Sequence, residues 1–266
     1  MRMKDFKRKL KYAVFIPKKV TRTPSGSGSV ISDLFPVRND ARWQTFFELL
    51  NIPALLNGRY SNDSSHEVLF IFFDQNGAEV GRKSIPAPND ARYTQELGDH
   101  FFPEIEKAAT FSVFHSGYFL EDDLDGSYLA ERGYAGYQRL GLPIRGYVHG
   151  NLDSIAFHEG KLQLLGNVGV LRRSYQVQHP LTGEAEYEFI LTNPSDSKVK
   201  VRVESKSEKT SWRRHQTFTL NPRGSQVFSL NVADREVKFV RIVSRLYLGR
   251  PVIFRNTLQS MDVFHG

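Results

Sequence analysis

His149, Asn151 and Asp153 alternate along the chain, and His115 ends an earlier apolar run. On an extended strand, alternate residues share one face. An imidazole, an amide and a carboxylate would then stand together. Histidine and aspartate can exchange protons near neutral pH or hold a metal ion. His-x-Asn-x-Asp is not a metal signature in its own right, and structural hydrogen bonding or polar ligand contacts use the same groups. A second set lies beside it. Arg132-Gly133-Tyr134 and Arg145-Gly146-Tyr147 repeat a short motif, with Tyr137 between them. Tyrosine rings can stack on the C–H faces of a sugar while Arg, Asn and Asp bond its hydroxyls; the same tyrosines can also pack within a sheet. The candidate ligand-binding residues are therefore Arg132, Tyr134, Tyr137, Arg145, Tyr147, His149, Asn151, Asp153 and His115. No residue is assigned a catalytic role, and neither a metal nor a cofactor is expected.

Other chemistry is weaker. The run Glu121-Asp122-Asp123-Leu124-Asp125-Gly126 places carboxylates beside a glycine, as a calcium loop requires. EF-hand spacing fails there, so an acidic surface turn is the better reading. Trp212-Arg213-Arg214-His215 could touch phosphate, though an exposed strand face explains it equally well. Asn62-Asp63-Ser64 is a glycosylation sequon with no secretory signal before it. The motifs of α/β-hydrolases, P-loop and dinucleotide-binding folds and zinc proteases do not occur. With 0 cysteines, thiol nucleophiles, thiolate metal sites and disulfides are excluded.

The elements that must position these residues read as strands. In the last third, Tyr187, Phe189 and Leu191 alternate with Glu186, Glu188 and Ile190, and Asn193-Pro194-Ser195-Asp196 then supplies a turn. Val199, Val201 and Val203 face away from Lys198, Lys200, Arg202 and Glu204. Further strands at 212–220, 225–230, 237–244 and 251–255 follow, with turns in most gaps. The order "EYEFILTNPSDSKVKVRV … TFTLNPRGSQVFSL … IVSRLYLGRPVIF" resembles the small β-sandwich of the sensory rhodopsin transducer family. That likeness spans residues 186–256 and rests on common turns. It implies a shape similar to carbohydrate-binding modules and assembly as an oligomer, and it carries over no functional residue.

An earlier block, 43–138, echoes this order. It has strands at 43–50, 67–74, 79–86, 91–97 and 109–115, broken by Asn51-Ile52-Pro53 and by the hairpin signal Gln75-Asn76-Gly77. Residues 68–73 are all apolar, which predicts a strand covered on both faces. Between the blocks, strands are expected at 134–138, 144–149 and 162–165, and residues 103–107 suit one helical turn. The predicted fold is all-β: tandem antiparallel β-sandwiches, like immunoglobulin or carbohydrate-binding modules, behind a basic N-terminal arm. The expected divisions are 1–30 for arm and linker, 31–165 for a first sandwich with its Gly/Tyr/His-rich extension, and 166–266 for a second.

Charge is concentrated at one end. Residues 1–22 hold nine basic side chains and one acid, Asp5, so the segment carries +8 and leaves −1 for the rest of a chain whose total is +7. The body is near neutral, which argues against a nucleic-acid-binding body. The arm reads as a solvated tail or as a contact to an anionic surface, where each Lys or Arg gains roughly 1 kcal/mol. No apolar run reaches membrane-spanning length, and the expected location is the cytoplasm. These readings predict a non-catalytic binding protein for a carbohydrate or a protein partner, forming a homo-oligomer. One alternative is an enzyme of surface polysaccharide or nucleotide-sugar metabolism using His149, Asp153 and His115 as acid–base groups. Another is a structural assembly protein.

Overall fold

The computed structural model describes residues 20–25, 29–51, 67–88, 90–116, 129–150, 153–181, 185–231, 237–247 and 249–266. The basic segment before residue 20, the acidic run 121–126, the Asn62 sequon and Asn151 lie outside the described residues. The first strands are β1 (Val30–Ser32), β2 (Phe35–Pro36), β3 (Trp43–Leu50), β4 (Glu67–Phe73), β5 (Glu79–Pro86), β6 (Arg92–Glu96) and β7 (Thr110–Ser116). A middle group follows: β8 (Leu129–Ala130), β9 (Tyr134–Arg139), β10 (Arg145–Val148), β11 (Ile155–His158) and β12 (Lys161–Leu164). The rest are β13 (Val168–Gln176), β14 (Glu186–Thr192), β15 (Val199–Lys206), β16 (Arg213–Leu220), β17 (Ser225–Asn231), β18 (Phe239–Leu246), β19 (Val252–Asn256) and β20 (Met261–His265). The expected turn near residue 105 is a short 3-10 segment, Ile105–Lys107.

Among the described residues these strands form five four-stranded sheets, in the orders β12-β11-β1-β8, β10-β9-β3-β6, β2-β7-β4-β5, β13-β18-β15-β16 and β17-β14-β19-β20. The expected pair of tandem β-sandwiches is corrected accordingly: the architecture is a five-bladed, propeller-like set of small sheets. Two sandwiches would supply four sheets, and the fifth is built from β1, β8, β11 and β12. The tandem-repeat reading is corrected for a second reason. The largest core joins Phe35, Trp43, Phe47, Phe70 and Phe111 to Ile190, Val252, Phe254 and Met261. The early block therefore shares its largest core with strands of the last third.

The sheets are not simple four-strand meanders. β3 lies between β6 and β9 while β4 lies between β5 and β7. Likewise β14 lies between β17 and β19 while β15 lies between β16 and β18. Consecutive strands thus leave one sheet for another, and side chains from both sheets meet in one core.

β4 shows why the pattern Val-Leu-Phe-Ile-Phe-Phe is needed. Val68, Phe70 and Phe72 enter the largest core, whereas Leu69, Ile71 and Phe73 enter another with Leu34, Phe114 and Ile155. Period-two alternation sends successive side chains to opposite faces, and both faces are covered, so no polar position is tolerated. The turn after β4 is fixed by Asp74, whose Oδ1 accepts the amides of Asn76 and Ala78, each at 2.8 Å. Gly77 has φ +84, and a Cβ there would lie 1.7 Å from the Pro222 carbonyl oxygen. Only glycine allows this hairpin to touch the turn between β16 and β17. Ser225 N–H reaches Gln75 O at 3.3 Å and Thr110 Oγ1 donates to Arg223 O at 2.7 Å, so the two turns are tied.

Phe72→Ala should cost about 3–5 kcal/mol by opening a cavity in the core. Lys83→Ala, on the exposed strand β5, should change stability by less than about 0.5 kcal/mol. Denaturant unfolding of the two variants beside wild type checks both values.

Candidate functional site

Register places the candidate residues on two surfaces that meet. In the sheet β10-β9-β3-β6, Tyr134 pairs with Glu48, Gly136 with Phe46 and Gln138 with Gln44. Tyr147 pairs with Gly136 and Arg145 with Gln138. Glu96 pairs with Phe46 on the other side. Directly paired side chains share a face, so Tyr134, Tyr147, Arg145, Gln138, Gln44, Glu48 and Glu96 all point outward, away from Trp43 and Phe47. The opposite parity sends Ala135 and Tyr137 inward.

The outward face is aromatic at its centre. The Tyr147 ring lies over Gly136, where an added Cβ would be 2.6 Å from a ring carbon. The Arg145 guanidinium stacks 3.8 Å from the Phe46 ring centroid, and its Nε donates to Gln138 Oε1 at 3.1 Å. Phe46 is thereby buried on a nominally solvent-facing position, while Tyr147 stays 38% exposed. Around this centre stand paired polar groups. Gln44 donates to Glu96 at 2.5 Å, and Arg92 meets Glu48.

At the β9 end the face turns into a charged edge. The Tyr134 and His149 rings lie 4.3 Å apart. Arg132 Nη1 meets Asp153 Oδ1 at 2.7 Å. Beneath them sits Asp33, in the bend between β1 and β2. Its carbonyl oxygen accepts hydrogen bonds from Ser32 Oγ at 2.9 Å and Ser112 Oγ at 2.8 Å, which locks its backbone. Its Cβ would be 2.0 Å from a Cβ on Gly150, so only glycine lets the two segments close. Burial, with the Asp153 carboxylate next, pushes the Asp33 carboxyl up to about 7; the Asp153 amide and the charges of Arg132 and Arg250 oppose the rise. His265 lies on the same side, with Nε2–H donating to the His149 carbonyl oxygen. Burial and then the Arg250 charge hold His265 down at about 4.

The structure thus joins Tyr134 to His149 and Arg132 to Asp153, and sets Arg145 and Tyr147 on one open face. Two assignments need correction. Tyr137 is fully buried, donates to Pro36 O at 2.8 Å and packs against Phe254 with centroids 4.9 Å apart. It is a core residue and cannot meet a ligand. His115 is also buried, with its Nε2 against Glu131, whose other carboxylate oxygen accepts the Gly133 amide at 2.7 Å. This pair supports the Arg132-Gly133-Tyr134 turn from below. The two Arg-Gly-Tyr motifs do not oppose one another: Tyr147 faces Gly136, two residues from Tyr134. Among the described residues no group of three His, Asp or Glu side chains could hold a metal ion.

Asp33, Arg250, His265, Glu48 and Gln44 were missed from sequence. Asp33 sits in Ser-Asp-Leu, which signals only a bend. Gln44 and Glu48 carried a signal that went unused, because they alternate with the buried residues of β3. Comparison with models of known protein families and with curated proteins found no match.

The Asp33 carboxyl gives a pH signature. Its folded value near 7 exceeds its ordinary value of 3.8, so the native state holds the proton more tightly than the unfolded chain. Its stabilising contribution is complete below 3.8 and is lost as pH rises through about 7. His265 acts in the reverse sense, since its depressed value removes stability as pH falls from 6.5 towards 4. Asp33→Asn should therefore gain stability relative to wild type as pH rises across that range. Paired thermal melts at several pH values measure this, and a difference independent of pH would contradict the assignment.

Proposed function

We propose that this protein is a non-catalytic binding protein whose ligand is a carbohydrate, seated on the outward face of the β10-β9-β3-β6 sheet. The observation that carries the reading is the register. It sets Tyr147 over Gly136 beside Phe46, puts Tyr134 on the same face, and surrounds them with Arg145, Gln138, Gln44, Glu48 and Glu96. A sugar offers an apolar C–H face and a rim of hydroxyls. Ring faces suit the first, and amide, carboxylate and guanidinium groups suit the second. Most of these polar groups are already hydrogen-bonded to one another, so the face is pre-organised and loses little side-chain freedom on binding. A protein partner would use the same exposed rings. Assembly as a homo-oligomer, which a resemblance of residues 186–256 to the transducer family would imply, belongs to the same reading. No helix among the described residues is long and apolar enough to cross a membrane.

One observation favours a second reading. Asp33 holds a proton near neutral pH beside Asp153, which is paired with Arg132. A buried carboxyl that keeps its proton into the neutral range can act as a general acid towards a bound substrate. An enzyme acting on sugar-containing substrates would use this edge, with Tyr134 and the open face positioning the substrate.

A glycan array probed with wild type, Tyr134→Ala and Tyr147→Ala separates the two. The binding reading expects wild type to retain specific glycans, and each variant to bind about tenfold more weakly, with the bound glycan recovered intact. Hydrolysis or transfer that disappears in Asp33→Asn would favour the enzyme. Retention of no glycan, or equal binding by all three proteins, would remove the sheet face as the site.

A further inference from the structure

The sheet β13-β18-β15-β16 turns its outer face away from the core formed by Val199, Val201, Val203 and Ile242. That face holds a pocket of about 260 Å3 lined by Arg172, Lys200, Arg202, Arg214, Thr217 and Val243. Four of these six side chains are cations. Strand pairing explains the gathering. Lys200 and Arg202 share a face of β15, Thr217 lies across from Arg202, and Val243 of β18 pairs with Arg202 from the other side. A register irregularity between Val203 and Glu204 shifts β16 by one residue and sets Arg214 opposite Glu204. Arg172 enters from β13, where the ladder with β18 is irregular between Val168 and Arg173.

The neighbouring negative charge is already engaged. Glu204 meets Arg202 Nε at 2.6 Å through one oxygen and Arg241 through the other at 2.5 Å. Arg241 also stacks over Trp212, 4.4 Å from the ring centroid. The side chains of Arg172, Lys200 and Arg214 have no ion-pair or hydrogen-bond partner among the described residues. Three uncompensated cations around one concavity raise the local concentration of anions. Guanidinium forks match phosphate oxygens in geometry.

We propose that this pocket binds a compact ligand carrying at least two phosphate groups, such as a phosphorylated polyol. Spacing sets the number of phosphates. Adjacent strands lie about 4.8 Å apart, so β13 and β15, which flank β18, are about 10 Å apart, and β16 lies one step beyond. Cations rooted across that span can be engaged together more evenly by two phosphates on a small ring than by one, with Thr217 and Arg202 between them and Val243 as the floor. The same chemistry is offered by a soluble phosphorylated sugar and by a phosphoinositide headgroup. Val170 is 85% exposed and Leu171 59% exposed beside Arg172, where they could enter a bilayer if the ligand is a lipid. This site is distinct from the tyrosine-lined face, and neither depends on the other.

Calorimetric titration with inositol hexakisphosphate and with inorganic phosphate tests the pocket. Flotation with phosphatidylcholine vesicles, with and without a phosphatidylinositol bisphosphate, identifies the source. The double variant Lys200→Gln/Arg214→Gln and the double variant Val170→Ser/Leu171→Ser are compared with wild type, with thermal melts confirming the fold. The proposal expects inositol hexakisphosphate or the doped vesicles to bind, inorganic phosphate to bind more weakly, and the Lys200/Arg214 variant to lose about tenfold or more. Vesicle binding that falls in the Val170/Leu171 variant assigns the ligand to a lipid; binding of the soluble probe with unmodified vesicle behaviour assigns it to a free phosphorylated polyol. Absence of binding to both probes, or equal binding by wild type and the Lys200/Arg214 variant, overturns it.

Discussion

Burial of β4 on both faces is the constraint from which much of the structure follows. Six consecutive apolar residues supply two cores, so β4 cannot shift without taking both sets out of the cores they fit. A one-residue slip would exchange the two sets between cores of different shape. β4 in turn fixes β7, its antiparallel neighbour. β7 carries Ser112, which holds the Asp33 backbone, and His115, which meets Glu131. The charged edge of the candidate site is therefore fastened to the centre of the fold through two side chains on one strand. At its other end β4 places Phe73 under the Arg223 guanidinium, 5.1 Å from the ring centroid, so the same strand also anchors a C-terminal turn.

A second constraint is ionic. Glu188 on β14 is almost fully buried and is met by Arg38 at 2.7 Å and Arg42 at 3.1 Å, while Arg42 also reaches Glu186. Removing one partner of such a buried group leaves an uncompensated charge, which costs far more than an exposed pair gains. These arginines flank the start of β3, and Glu188 belongs to the strand that begins the C-terminal third. The contact pins the two parts of the chain around a common apolar core. Outward from this core, two sheets present faces of different chemistry. One offers aromatic rings bordered by mutually satisfied polar groups, and the other offers unpaired cations around a concavity. Carbohydrate and phosphate recognition need these separate qualities.

Strands with a strong apolar pattern were legible to within a residue or two: β3, β4, β14 and β15 all follow it, and β5 was bounded by its flanking turns. β13 was not, because most of its side chains are exposed and its register is interrupted. β1 and β11 were too short to show a period, and they form the fifth sheet, so the sheet count could not be read in advance. On β14 the second face, Glu186, Glu188 and Ile190, mixes charge with an apolar side chain; in the fold Ile190 enters the shared core and Glu188 is covered by arginines. Among the candidate site residues, parity held usable information. Tyr134 and Tyr137 are an odd number of positions apart and must face opposite sides of β9, so one of them had to be internal.

The sequence by itself determined the all-β character, the position of most strands, the alternation that separates Tyr137 from Tyr134, and the near-neutral body behind a basic segment. These are local properties, set by side-chain period and turn chemistry within a few residues. Only the tertiary structure decided that five sheets form, that their cores are shared, and that Asp33 lies beneath Asp153 and Arg132. It also decided that Arg172, Lys200 and Arg214 surround one pocket. The proton affinity of a carboxyl and the charge of a groove depend on which distant strands are brought together and on how much water they exclude. No local pattern encodes that.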